Sequence, residues 1–288
     1  MKTYLFVNPL SGHYSSSHFQ SVLNRLQCCG ITPEVFRVHT PTEIASHCAL
    51  INQHVEKPLV IVAGGDGTFN AVVNGLDYGI ATMAVLPFGT SNVLAAEIGI
   101  KSIDDSLERL AVGKTNSLSL GVIELEGRSL RFVLMAGIGV DGAVVRDVWP
   151  FGKRLLRQGA YVLSALHRLM TWDSTVFEIS TPEVDITCHS AIICNASRYG
   201  GNITLSPGSS PFLKGLSAVC ITGNKRRTYM SSAMDLFLEK GGTGKDMIRI
   251  HSSCFEIRGR HPIQVDGDFI GYGPARVSER ADFARIIV

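Results

Sequence analysis

Gly64-Gly65-Asp66-Gly67-Thr68 concentrates more chemistry in fewer residues than any other stretch of this sequence. It follows Leu59 to Ala63, an apolar, β-branched run that suits a parallel strand buried on both faces. After it, Ala71, Val72, Val73 and Leu76 line one side of a helix. A strand that breaks into glycines and restarts as a helix leaves backbone N–H groups aimed at one spot. With the helix dipole, those groups favour a phosphate. The missing Cβ atoms at Gly64, Gly65 and Gly67 let the anion come close to the backbone. Asp66 would repel that anion unless a cation lay between them. Mg²⁺ fits, bound directly or through water, because it uses few carboxylates and keeps its waters. The alternative is an ordinary glycine-rich βα turn with Asp66 as the helix cap.

The elements around this loop predict where it sits. Thr3 to Val7 reads as a strand ending in Asn8-Pro9-Leu10-Ser11-Gly12, and Phe19, Val22, Leu23 and Leu26 mark a helix that stops at Gly30. A strand near Val35 to Val38 leads into Thr40-Pro41-Thr42-Glu43, which reads as N-cap, proline at the first helical position and a capping box. Thr82 to Leu86 is a further strand, followed by Pro87-Phe88-Gly89-Thr90-Ser91-Asn92 and another helix start at Val93. Ser102 caps a helix that ends at Gly113. This β-α-β-α order predicts a doubly wound, mostly parallel sheet with its ligand crevice beyond the carboxyl ends of the strands. Asn8 to Gly12, Thr40, Gly64 to Thr68 and Gly89 to Asn92 all fall at such ends.

From Leu118 the pattern changes to many short strand-like stretches with few helices, which suggests an antiparallel sandwich or barrel. The expected division is therefore residues 1–116 as an α/β domain and 117–288 as a β-rich domain, with no Ser/Pro-rich linker at the boundary. Gly137-Ile138-Gly139-Val140-Asp141-Gly142 matches GxGxxG, yet no βαβ unit with an acidic residue at the ribose spacing follows. Gly241-Gly242-Thr243-Gly244-Lys245 fails as a Walker A loop, with Glu239 and Asp246 where Gly and Ser/Thr are needed. Trp149-Pro150-Phe151-Gly152 beside Lys153, Arg154 and Arg157 suits an anionic membrane surface, or else a plain amphipathic helix with its basic side in water. Lys225-Arg226-Arg227 reads as a solvated turn.

Taken in order, NPLSG, GGDGTFN, PFGTSN, GIGVDG, NASRYGG and VDGD resemble the motifs of the diacylglycerol and lipid kinase catalytic-domain family, related to sphingosine kinases. The resemblance spans nearly the whole chain. It implies ATP and Mg²⁺ in the first domain, held by Asn8, Pro9, Ser11, Gly12, Thr40, Gly64, Gly65, Asp66, Gly67, Thr68, Asn70, Gly89, Thr90 and Asn92, with Asp66 on the metal. It implies a lipid substrate for the second domain, Asp141 in the active-site cleft and Asp268 as general base. Two departures stand out. Asp268 occupies the position where the family has a glutamate, one methylene longer. Lys214 stands before Gly215-Leu216, where the family has an aspartate on a structural Mg²⁺, and an ammonium cannot ligate that ion. The expectation is that this metal is absent and Lys214 takes its place.

At 288 residues, two cores are affordable. A hydrophobic content of 45%, 18% charged residues and a mean hydropathy of +0.19 describe a rather apolar chain. A net charge of +2 argues against a dedicated nucleic-acid binder. No apolar run reaches the ~18–20 residues of a membrane span, and MKTYLFVNPL lacks the features of a signal peptide. The seven cysteines show neither CxxC nor zinc spacing, and the nine histidines no HExxH, so reduced core thiols are expected. The expectation is a cytoplasmic, peripherally membrane-associated lipid kinase, with a homodimer left open. The rivals are a soluble-substrate kinase acting on NAD and a catalytically weakened nucleotide- or lipid-binding regulator.

Overall fold

A computed structural model describes residues 2–147, 175–199, 203–223, 225–237 and 246–288. The chain divides into two units, Met1–Leu120 with Arg280–Val288 and Gly121–Glu279. The last nine residues thus return to the first unit, which a single cut near Asn116 does not describe.

In the first unit, β1 (Thr3–Val7), β2 (Glu34–Arg37), β3 (Leu59–Gly64) and β4 (Thr82–Pro87) alternate with α1 (Ser16–Cys28), α2 (Pro41–Ile51) and α3 (Asp66–Gly75). Helices α4 (Val93–Glu97) and α5 (Ile103–Val112) follow β4. The strands run parallel in the order β2-β1-β3-β4, and the end of the final strand adds Arg285 and Ile286 opposite Thr82 and Met83. Every residue of β3 is buried, as its unbroken apolar run predicts. Phe19, Leu26, Ile61, Leu86, Phe88 and Leu107 belong to the core that helices and sheet share. Strand order reverses direction at β1 and β3, so the loops that follow these two strands flank a topological switch point. Thr40 caps α2 by accepting from Glu43 N at 3.3 Å, and the Glu43 carboxylate accepts from His39 N at 2.7 Å. That is the capping box expected from the sequence, with its return bond one residue further out.

The second unit is β-rich. β5 (Thr115–Leu125) enters it and pairs with β6 (Arg128–Phe132). β7 (Met135–Gly139), β8 (Phe177–Ser180), β9 (Asp185–Cys188) and β10 (Ser190–Cys194) follow, then the short β11 (Arg198–Tyr199) and β12 (Ile203–Thr204). The rest are β13 (Leu216–Ile221), β14 (Met247–Ser252), β15 (Cys254–Ile257), β16 (Pro262–Val265), β17 (Asp268–Tyr272) and β18 (Ala275–Ile287). One antiparallel sheet runs β14-β13-β10-β7-β16-β17, and β15, β8, β9, β5, β6 and the start of β18 form the opposing layer. Ile138, Ile193, Ala218 and Ile263 of the first layer share a core with Ile123, Phe177, Phe255 and Val277 of the second, so the sandwich is real. Among the described residues, two helices lie where the sequence pattern predicts none. α6 (Val140–Asp147) starts inside the GxGxxG match, and a helix over Arg226–Phe237 replaces the solvated turn expected at the basic cluster. The segments Trp149–Leu169 and Gly241–Lys245, and Gly200 and Gly201, lie outside the described residues. No helix among the described residues is long and apolar enough to cross a membrane.

The Ser102 hydroxyl accepts from Asp105 N at 3.1 Å at the start of α5. Ser102→Ala is expected to lower stability by about 1 kcal/mol, read as a lower urea midpoint with an unchanged slope.

Candidate active site

Three loops of the first unit converge where the sequence placed its phosphate motifs. The loop after β1 is tied to the loop after β3 by Asn8 N to Ala63 O at 3.1 Å and by Asn8 Nδ2 to Thr68 Oγ1 at 3.2 Å. It reaches the loop after β4 through His13 N to Phe88 O at 2.9 Å. The loops after β3 and β4 join where Phe88 N and Gly89 N both donate to Gly64 O, at 3.1 and 3.2 Å. Glycine is needed here for closeness. A Cβ on Gly89 would lie 2.4 Å from Gly65 Cα, and one on Gly12 would lie 2.4 Å from Thr90 Oγ1. A Cβ on Gly67 would meet nothing within 4 Å. Gly12, Gly67 and Thr90 are exposed, so the cluster has an open side lined by backbone and one hydroxyl. Asn70 lies on α3 and is held by Asn74 Nδ2 at 3.0 Å, while Thr40 is exposed with its hydroxyl committed to the α2 cap.

Asp66 does something the sequence did not reveal. Its Oδ2 accepts from Val93 N at 3.0 Å and its Oδ1 from Leu94 N at 2.9 Å, so the carboxylate caps α4 from the neighbouring loop. Burial raises its pKa above the usual carboxylate range, and the Leu94 and Val93 amides pull it back down. Both oxygens face the start of α4, so direct ligation of Mg²⁺ by Asp66 does not fit; contact through water, using the remaining lone pairs, does. No cluster of three or more His, Cys, Asp or Glu side chains suited to a metal is found among the described residues. Asn92 takes a left-handed conformation, φ 47° and ψ 47°, and its Nδ2 donates to Gly89 O at 2.8 Å. Its Oδ1 is buried without a hydrogen-bond partner in the protein and, with Asp66, lines a cavity of about 10 Å³, on the order of one water.

In the second unit, Asp141 is buried at 5% exposure, held by Gln264 Nε2 at 2.6 Å and by the Tyr199 hydroxyl. Burial raises its pKa, and the bonds from Tyr199 and Gln264 oppose the rise. Asp268 is exposed at the first position of β17, directly after a two-residue turn of Asp266 and Gly267. Lys214 is exposed. Tyr199, Gln264 and Asp266 were absent from the expected site residues. The only clue to Asp266 in the sequence is the Asp-Gly pair, which signals a hairpin but not what the carboxylate touches.

Gly89→Ala is expected to cost about 1–3 kcal/mol, as in overpacking, because the new methyl meets backbone rather than a movable side chain; thermal unfolding would read it. A second expectation concerns pH. Asp66 and Asp141 both have raised pKa values in the folded protein. The stability such a carboxyl contributes is complete below its unfolded value, about 3.9, and is lost as pH rises through its folded value. Urea midpoints should therefore fall as pH climbs above that point, and Asp141→Asn should flatten part of the slope.

Comparison with known proteins bears on this arrangement. Residues 2–123 match the family model described as diacylglycerol kinase catalytic domain. A diacylglycerol kinase from Bacillus subtilis is 31% identical over 180 residues, covering 61% of this chain and 58% of that protein. A diacylglycerol kinase from Mycobacterium tuberculosis is 25% identical over 291 residues, covering 96% of this chain and 92% of that protein. The crystal structure of a diacylglycerol kinase from Bacillus anthracis superposes with a TM-score of 0.73 at 16% identity, over 99% of this chain and 96% of that one. It has the same fold, an α/β unit followed by a β-rich one. The match to the diacylglycerol kinase catalytic-domain model thus lies on the first unit, while similarity to relatives of that description extends along the length of the chain.

Proposed function

We propose that the protein is an ATP-dependent lipid kinase that transfers the γ-phosphate to a hydroxyl of diacylglycerol or a related lipid. The observation that carries this reading is the convergence of the loops after β1, β3 and β4 on one open, glycine-lined spot at the start of α3. Backbone amides there, the Gly67 opening and the Thr90 hydroxyl suit the phosphates of the donor. Mg²⁺, when bound with the nucleotide, would supply charge neutralisation, and Asp66 would be the residue to hold it, through water. Asp268 accepts the proton of the lipid hydroxyl as the new O–P bond forms and the bond to the departing ADP breaks. Phosphoryl transfer depends mainly on positioning and charge, so the shorter aspartate serves if the acceptor oxygen comes within reach. Support for a lipid acceptor comes from the names of the relatives. Peripheral contact with a membrane is part of the proposal, through the aromatic and basic stretch at Trp149–Arg157.

The test is transfer of radiolabelled γ-phosphate onto a total lipid extract, with diacylglycerol and NAD assayed side by side. Label in lipid and none in NAD is expected. Label in NAD alone would make this a soluble-substrate kinase, and ATP binding without transfer to any acceptor would make it a regulator. Asp268→Ala is expected to abolish transfer and leave nucleotide binding intact; undiminished turnover would place the base elsewhere.

A further inference from the structure

The hairpin that presents Asp268 is held far more firmly than a surface turn needs. β16 and β17 meet at Asp266-Gly267, with Val265 paired to Asp268 and φ values of 46° and 89° at the two turn residues. Positive φ at both positions is what a two-residue turn of this kind demands, and Asp-Gly or Asn-Gly serves it equally well. Yet the side chain at the first position has a second task that only a carboxylate can perform. Asp266 Oδ2 accepts from Val133 N at 2.8 Å, and Oδ1 accepts from Leu134 N at 3.0 Å and Met135 N at 2.9 Å. Its own amide donates to Met135 O at 3.0 Å. Four hydrogen bonds thus fasten one turn residue to the segment joining β6 to β7.

A second brace acts on the other turn residue. Gly267 N donates to Gln264 Oε1 at 2.8 Å, and the Gln264 amide is fixed from its other end by Asp141 at 2.6 Å. Gln264 is 2% exposed, so its orientation is set by the core. Asp268 projects from this doubly braced turn while remaining exposed itself. Three amides converging on one carboxylate form charge-assisted bonds, which are stronger and shorter than neutral ones. A buried run of N–H groups needs such acceptors, but a backbone carbonyl or an amide side chain would satisfy part of it.

Resting on the kinase reading above, we infer that Asp266 is a positioning residue: its carboxylate, clamped by the amides of residues 133–135, sets where Asp268 stands relative to the acceptor hydroxyl. Asp268 is one methylene short of a glutamate, so its reach cannot absorb a shifted backbone by changing rotamer. The turn must therefore be held in place. A displacement of the order of 1 Å at a reacting group costs about 10²-fold in rate.

Asp266→Asn isolates the clamp. Asparagine tolerates the left-handed conformation as readily as aspartate, but its NH₂ faces an amide N–H that it cannot accept from. The full-length chain carrying this change is expected to lose 10- to 100-fold in kcat, on the order of that 1 Å displacement, with the KM for ATP unchanged. Asp266→Gly, which keeps the φ and removes the clamp entirely, should fall at least as far. Ser102→Ala serves as the stability control, since it weakens a helix cap in the other unit and should leave kcat intact. Wild-type kcat in Asp266→Asn while Asp268→Ala is inactive overturns the positioning role alone. A rise in the KM for ATP that matches the loss in kcat, or an equal loss in Ser102→Ala, assigns the effect to general destabilisation and overturns it too. Full turnover by Asp268→Ala removes the base assignment and, with it, this inference.

Discussion

Two glycines, Gly65 and Gly89, bring the loops after β3 and β4 into contact backbone against backbone, and the Asp66 carboxylate locks them there by capping α4. The rest of the candidate site depends on that contact. α4 has five residues, too few to be stable by itself. Its first amides would be left unpaired without an acceptor from outside the helix. Hydrogen bonds to a charged acceptor contribute about 1.5–3 kcal/mol each, enough to hold a short helix against its own fraying. Once α4 is held, Asn92 is fixed in its left-handed conformation, Thr90 is presented to solvent, and Gly12 packs against the Thr90 side chain. The loops form one surface because one carboxylate spans two of them.

The second unit solves the same problem at Asp266, whose oxygens gather the amides of residues 133–135. Asp141 is the instructive contrast. Its donors are a phenol and a primary amide rather than a row of backbone N–H groups, and it is more deeply buried than either turn residue. Desolvation outweighs hydrogen bonding there, as it also does at Asp66, and both pKa values rise. Three aspartates in motif positions thus perform three tasks: closing a loop, anchoring a hairpin and occupying a buried network.

The architecture was legible wherever local pattern and tertiary environment agree. The buried strand at Leu59–Gly64, the Thr40 and Ser102 caps and the short antiparallel strands from Phe177 onward follow from periodicity, capping chemistry and turn residues. α6 was hidden because Gly137-Ile138-Gly139 reads as loop, whereas these glycines continue β7 and leave room for Asp141 and Gln264 beside the strand. A Cβ on Gly137 would lie 1.7 Å from Asp141 Oδ2. No one-dimensional pattern encodes that requirement, since the residues involved are separated along the chain. Tyr199 and Gln264 were missed for the same reason. Their roles come from the fold, which brings β10, β16 and α6 against β7.

The puzzle posed by an aspartate inside a phosphate loop has a second answer beside the one its spacing suggests. Read along the sequence, Asp66 sits among amides that attract an anion, and a bridging cation is the natural way to remove the repulsion. In space, the carboxylate reaches across from its own helix to the N-terminus of α4. Its charge is therefore partly neutralised by amides at another helix end, and burial reduces its tendency to ionise further. The open side at Gly67 keeps its attraction for a phosphate with less opposing charge than the sequence implies. A loop that looks self-defeating in one dimension is consistent in three, because amides at a second helix N-terminus share the carboxylate's charge.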